Sequence, residues 1–314
     1  MPPTSHTAFI SHPDCLLHEM DFYHPESPAR LKAIEDELSA SGLMEKLRHY
    51  PAPLVTIGQL ERVHTQEHVA RLQAAASRAA SGGFTYLDPD TAMNRHSLRA
   101  AYRAAGAAAF AVDLVIGGAV ENAFCCIRPP GHHAERGHPM GFCLFNNIAV
   151  AVAHALEAHA LERVAVVDFD VHHGNGTEDI FQHDPRVMMV STFQHPFYPY
   201  SGIAGRSERM VNIPLPAGSN GKVFRKAVDE FWLPALERFE PQMLFVSAGF
   251  DAHADDELAS LNLVEDDYAW VTEKIKEVAC VYAGKRIVSV LEGGYALAAL
   301  GRSVAAHIKV LMEG

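Results

Sequence analysis

The sequence predicts an α/β fold: a single domain of three α/β/α layers around a central, mainly parallel sheet. Three observations carry this reading. Apolar runs of strand length alternate with amphipathic helical stretches, as in a parallel sheet covered on both faces. Polar clusters follow the strands and do not interrupt them. No internal repeat, low-complexity tract or long linker divides the 314 residues, so 1–314 reads as one domain.

The elements justify this in chain order. Ser27-Pro28 opens a helix over 28–40 with an N-cap residue and Pro at N1. Leu31, Ile34 and Leu38 give that helix one apolar face. Helices follow over 66–80 and 95–116, and the Ala-rich run from Ala100 to Ala111 reads as a closely packed helix with no site of its own. The first strand is 123–127, with Cys125 and Cys126 as buried strand thiols. A helix over 147–160 leads into strands 163–169 and 187–192. Helices over 222–239 and 265–282 precede strands 243–247 and 286–291, and a helix over 296–311 completes the set.

Composition narrows the function classes. A 48% hydrophobic, 20% charged chain excludes collagen-like, coiled-coil and disordered classes. With 26 basic and 38 acidic residues the net charge is −12, which opposes bulk attraction to nucleic acid or anionic membrane. Five cysteines, an odd count without a C-x-x-C pair, point to reduced thiols and a cytoplasmic location. The start carries neither a basic n-region nor an apolar h-region, and no run reaches the ~18 residues of a membrane span. Nineteen histidines make their clustering informative. The sequence leaves self-association into a homo-oligomer open.

Four polar segments follow strands: Arg128-Pro-Pro-Gly-His-His133, Asp168-Phe-Asp-Val-His172, Gly249-Phe-Asp251 and Glu292-Gly-Gly-Tyr295. In an open α/β sheet, ligands bind beyond the carboxyl ends of the strands, so these four converge on one crevice. Residues two apart at a strand end share a side, which brings Asp168, Asp170 and His172 together. Carboxylate and imidazole at that spacing suit Zn²⁺, with Asp251 as third ligand and a fourth position open, as in a catalytic zinc. Two carboxylates neutralise the ion's charge, so a general base and an extra electrophile are needed nearby. His132-His133, on the irregular backbone of Pro129-Pro-Gly131, supplies the base, and Tyr295, after Gly293-Gly294, supplies an O–H for an oxyanion. Gly218 to Lys222 is not a phosphate loop, because Pro216 holds the first Gly position and no Ser/Thr follows the Lys.

These residues resemble the histone deacetylase family, of the arginase/deacetylase fold. The matching segments are His24 to Arg30, Val63 to Val69, Arg128 to Ala134, Gly141 to Asn147, Asp168 to Thr177, Ser247 to Asp251 and Leu291 to Tyr295, in family order and over nearly the whole chain. Phe169-Asp170, Gly174 to Thr177 and Gly249 to Asp251 are similar to the class II branch and its bacterial relatives. The resemblance implies a zinc-dependent deacylase acting on acyl-lysine side chains of peptides or proteins, with one Zn²⁺ on Asp170, His172 and Asp251. It implies His132 and His133 as tandem histidines, with His133 as base and proton donor to the amine. Asp168 would hold His132, and Asn175 would hold His133 less basic than an Asp would. Tyr295 would polarise the carbonyl. Phe142 and Tyr198 (where Phe is usual) would wall a channel, Gly141 would admit the stem, and Arg30 would sit at the inner end. A structural K⁺ is implied at Asp168, Asp170, His172 and Ser191, and another around Phe181 and Val187. The alternatives are an acylpolyamine amidohydrolase with the same metal site and an inactive acyl-lysine-binding scaffold. Leu258 at the rim favours acyl-lysine, whereas a one-residue loop shift would bring Glu257 to the mouth. Asp88, Asp90, Asp255 and Asp256 are expected to make the rim acidic.

Overall fold

The computed structural model describes residues 6–203 and 207–313. In order, the elements are β1 (Thr7–Ser11), α1 (Ala29–Ala40), β2 (Arg48–Pro51), α2 (Ile57–Leu60), α3 (Gln66–Ala79), β3 (Thr85–Tyr86), β4 (Ala92–Met93), α4 (Ser97–Ile116) and β5 (Asn122–Cys125). They continue with α5 (Asn147–Ala158), β6 (Val164–Asp168), α6 (Asn175–Phe181), β7 (Val187–Gln194), β8 (Met210–Leu215), α7 (Gly221–Ala227) and α8 (Leu233–Phe239). The last four are β9 (Met243–Ala248), α9 (Glu265–Tyr282), β10 (Ile287–Leu291) and α10 (Leu297–Met312).

Eight strands form one sheet in the order β2-β1-β5-β10-β9-β6-β7-β8, and every neighbouring pair is parallel. β3 and β4 pair separately as a short antiparallel ribbon. Strands β5, β6, β7, β9 and β10 are buried at every position. That is why they read in sequence as continuous apolar runs without alternation: helices cover both faces of a parallel sheet. Helix α1 packs on α10 and α10 on α9, while α4 packs on α5.

All five expected strands and seven expected helices are present, and the differences have local causes. Ser27 does not cap α1: Pro28, at φ −55°, takes the N-cap position with no side-chain cap. The 222–239 helix passes through a π turn at Val228–Trp232 before α8, whose first turn holds Pro234, a residue with no N–H to give. Strands β1, β2 and β8 join the sheet in addition. β2 and β8 are its edges, where Pro51 and Pro214 leave no ladder donor missing from the interior.

Candidate active site

The four polar segments follow β5, β10, β9 and β6, four consecutive strands of the sheet. Because all run the same way, their carboxyl ends deliver four loops to one place. Asp170 and His172 are brought together there by turns and not by strand alternation, since β6 ends at Asp168. Asp168 Oδ1 accepts the Asp170 N–H at 3.1 Å, and Asp170 Oδ1 accepts the His172 N–H at 2.9 Å. Each aspartate thus closes a turn two residues ahead of itself.

His172 Nδ1 lies 3.0 Å from Asp170 Oδ1 and 3.2 Å from Asp251 Oδ2, and the three side chains offer ligand atoms within 4.8 Å of one another. Asp170 Oδ2 is held by the Gly293 N–H at 2.8 Å and Asp251 Oδ1 by the Val171 N–H at 2.9 Å. Asp251 Oδ2 is buried with no hydrogen-bond partner. Burial and the Asp170 charge raise the Asp251 pKa to about 6, against the pull of His172. Burial disfavours a charged His172, yet Asp170 and Asp251 raise its pKa to about 9. Two buried carboxylates around one imidazole, one of their oxygens accepting no hydrogen bond, call for a cation. The O, N, O donor set fits a divalent ion such as Zn²⁺.

The paired imidazoles differ in their supports. His132 Nδ1 lies 3.0 Å from Asp168 Oδ2, and His133 Nδ1 lies 2.8 Å from Asn175 Oδ1. Burial works against a charged His132, yet Asp170 and Asp168 raise its pKa well above the ordinary value. Burial, His132 and His172 together push His133 well below it. Of the two rings, His133 is therefore the neutral one.

Both rings line a cavity of about 260 Å³, with His172, Gly141, Phe142, Tyr198, Leu258 and Tyr295. Gly141, at φ +56°, lies so close to His133 that a Cβ would fall 2.5 Å from its ring. Phe142 and Tyr295 meet edge to face at 6.0 Å, and Tyr198 stands 5.3 Å from His133. Burial raises the Tyr295 pKa well above that of a free phenol, against the effect of Arg30, so it remains a donor. Arg30 is fully buried behind that ring, its guanidinium carbon 4.9 Å from the centroid, and does not line the cavity. Asp90 does line it.

The supporting contacts of three carboxylates escape sequence reasoning. Glu292 accepts the Gly131 and His132 N–H groups at 2.7 and 3.1 Å, and burial raises its pKa to about 7. Glu26 is buried between Arg128 and Arg30, and those cations, with His18, hold its pKa at about 2 despite burial. Asp256 does not make the rim acidic: it is buried and accepts the N–H groups of Tyr295 at 2.7 Å, Ala296 at 3.0 Å and Leu258 at 3.1 Å. Nor is Asp255 an unpaired rim charge, since Arg302 lies 3.2 Å away.

Asp113, His154 and His159 also converge, with both Nε2 atoms on Asp113 Oδ1 at 2.8 and 2.7 Å. Arg62 donates to His154 Nδ1 at 3.2 Å. Its proton therefore sits on Nε2, where a metal would need the lone pair, so this cluster is a hydrogen-bonded one.

The Histone deacetylase domain family matches residues 24–311. An uncharacterized protein of Synechocystis sp. is 41% identical over 97% of this chain and 99% of its own length. The Histone deacetylase-like amidohydrolase of Pseudomonas aeruginosa is 39% identical over 87% of this chain and 72% of its own. Histone deacetylase 14, chloroplastic, of Arabidopsis thaliana is 37% identical over 92% and 73%. Among solved structures, the crystal structure of the HDA15 HD domain superposes with a TM-score of 0.91 at 36% identity, covering 98% of this chain and 90% of that one.

Proposed function

The chain belongs to the histone deacetylase family, and on that premise we propose that it is a zinc-dependent amidohydrolase that removes acyl groups from lysine side chains. The observation that carries this reading is the buried cluster of Asp170, His172 and Asp251, whose Oδ2 accepts no hydrogen bond, next to a cavity that His133 and Tyr295 also line. Asp170, His172 and Asp251 would hold the ion, which when bound supplies Lewis acidity to an amide carbonyl and to a water.

The chain's own groups do the rest. Asn175 keeps the His133 proton on Nδ1, so Nε2 has a lone pair. Nε2 takes a proton from the attacking water and returns it to the amine nitrogen as the C–N bond breaks. Tyr295 donates its O–H to the oxygen that gains charge. Asp168 orients His132. Phe142 and Tyr198 flank an aliphatic stem, and Gly141 leaves it room. Arg30 braces the Tyr295 ring from behind. An acyl amide and water give a carboxylate and a protonated amine.

Leu258 lines the cavity while the exposed Glu257 does not, which supports acyl-lysine over acylpolyamine. The test compares kcat/KM on acetyl-lysine peptides with acetylputrescine and acetylspermidine. At least about tenfold preference for the peptides is expected, which corresponds to about 1.4 kcal/mol; a preference for the polyamines overturns the assignment. No turnover in metal-loaded protein that still binds peptide would leave a scaffold.

One structural K⁺ belongs to the same proposal. Ser191, opposite Asp168 in the β6–β7 register, has a buried hydroxyl with no partner. A second K⁺ around Phe181 and Val187 does not fit, because Arg209 donates to the carbonyls of Asp184 at 2.5 Å, Gln182 at 3.3 Å and Val187 at 3.4 Å. Among the described residues no helix is long and apolar enough to cross a membrane, and all five cysteines are free; the thiols support a cytoplasmic location.

A further inference from the structure

We infer that His173, Ser201 and Glu178 form a seat that positions the Tyr198 wall of the cavity and so sets how well an acyl-lysine stem is held. This rests on the proposed function for its kinetics but not for its geometry. His173 directly follows His172, its ring is buried, and it does not line the cavity. Its Nε2 lies 2.8 Å from Glu178 Oε2, a charge contact without hydrogen-bond alignment, and Glu178 Oε1 accepts the Asn212 side-chain amide at 3.0 Å. The Glu178 charge beside Nε2 favours the ring proton on that nitrogen, and in that tautomer Nδ1 accepts the Ser201 hydroxyl at 2.8 Å.

The turn beyond Tyr198 rests on this ring. Tyr200 N–H donates to the Phe197 carbonyl at 2.8 Å, closing the turn that carries Tyr198. Phe197 stacks on His172 at 5.3 Å, while Gly202, at φ +84°, approaches His173 so closely that a Cβ would fall 2.7 Å from the ring. Phe193 packs on the same imidazole at 4.8 Å. The loop is thus pinned on both sides of Tyr198, by Phe197 on one imidazole and Ser201 on the next. Neither Ser201 nor Glu178 lines the cavity, so both act through Tyr198 as positioning residues.

The test is a double-mutant cycle between Ser201 and Tyr198, read by kinetics and by hydrogen exchange of the 197–203 amides. Ser201→Ala is expected to raise KM for an acetyl-lysine peptide about 3- to 10-fold, the loss of roughly one hydrogen bond. Kcat changes less than about 2-fold, zinc content is unchanged, and exchange in 197–203 accelerates by a similar factor. Ser201→Thr restores both readings, and Glu178→Gln reproduces the alanine effect in weaker form. In a Tyr198→Ala background, Ser201→Ala adds nothing to KM. The proposal is overturned by unchanged exchange in Ser201→Ala, or by an equal KM rise in both backgrounds. If the wild type does not hydrolyse acyl-lysine, the functional reading fails while the exchange data still decide the seat.

Discussion

His133 Nδ1 donates its proton to Asn175 Oδ1 across 2.8 Å. The direction of this bond is fixed from the far side. Asn175 Nδ2 donates to Glu135 Oε1 at 2.9 Å, and a flipped amide would set two oxygens against each other there. His133 therefore presents the lone pair of Nε2 to the cavity, supported by a neutral amide, while its neighbour His132 leans on the carboxylate of Asp168.

Asn175→Asp should make His133 more basic, since an anion next to an imidazole favours its protonated form. A base with a higher pKa needs a higher pH to be free, so the acid limb of the kcat/KM profile should move up by about one pH unit. A limb that stays in place would remove His133 as the base.

Tyr295→Phe should lower turnover by roughly 10²–10³-fold, as loss of one oxyanion donor does, with zinc content unchanged. Kinetics beside elemental analysis of one preparation decides this; undiminished turnover would take the phenol out of the mechanism.

Asp251→Ala removes the carboxylate whose Oδ2 accepts no hydrogen bond and faces His172 Nδ1 at 3.2 Å. Zinc content by elemental analysis should fall from one equivalent to near zero. Full occupancy would mean that the ion is held elsewhere.

Asp256→Ala strands three backbone N–H groups, two of them at Tyr295 and Ala296. Urea unfolding should show a loss of roughly 2–4 kcal/mol, against less than about 1 kcal/mol for Asp255→Ala, whose partner Arg302 is exposed. Equal losses would contradict the assignment of Asp256 as the anchor of the Tyr295 loop.

His307 is buried between the hydroxyls of Thr272 and Ser289, at 2.7 and 2.8 Å, and burial lowers its pKa to about 3. The unfolded chain protonates it near pH 6.5, so between 6.5 and 3 the unfolded state binds the extra proton and stability falls with pH. The stability advantage of wild type over His307→Gln should shrink by about 1.4 kcal/mol between pH 7.5 and 5.5. A constant difference would show that His307 does not titrate as described.

Much of this was legible because a parallel sheet buries its strands on both faces. β6, β9 and β10 appear as unbroken apolar runs, and the polar residues after them mark the carboxyl edge. Asp170, His172 and Asp251 were found by that rule, though the turn closed by Asp170 onto the His172 N–H, and no strand pleat, brings the first two together. What escaped depends on contacts far apart in sequence. Asp256 sits in an acidic run that resembles solvated surface, and only its bonds to Tyr295 and Ala296, some forty residues on, reveal it as internal. Glu26 reads as one charge in a loop until Arg128, 102 residues later, closes on it. β8 carries Pro214, which argues against a strand except at an edge, where it lies. α6 is hidden in sequence because it is only seven residues long and Gly176 weakens the helical signal.

The most direct measurement is turnover of an acetyl-lysine peptide by metal-stripped protein as Zn²⁺ is added back. Activity should climb linearly from near zero and level off at one equivalent per chain. Full hydrolysis before any metal is added, or a rise that continues to two equivalents, would contradict a single ion on Asp170, His172 and Asp251.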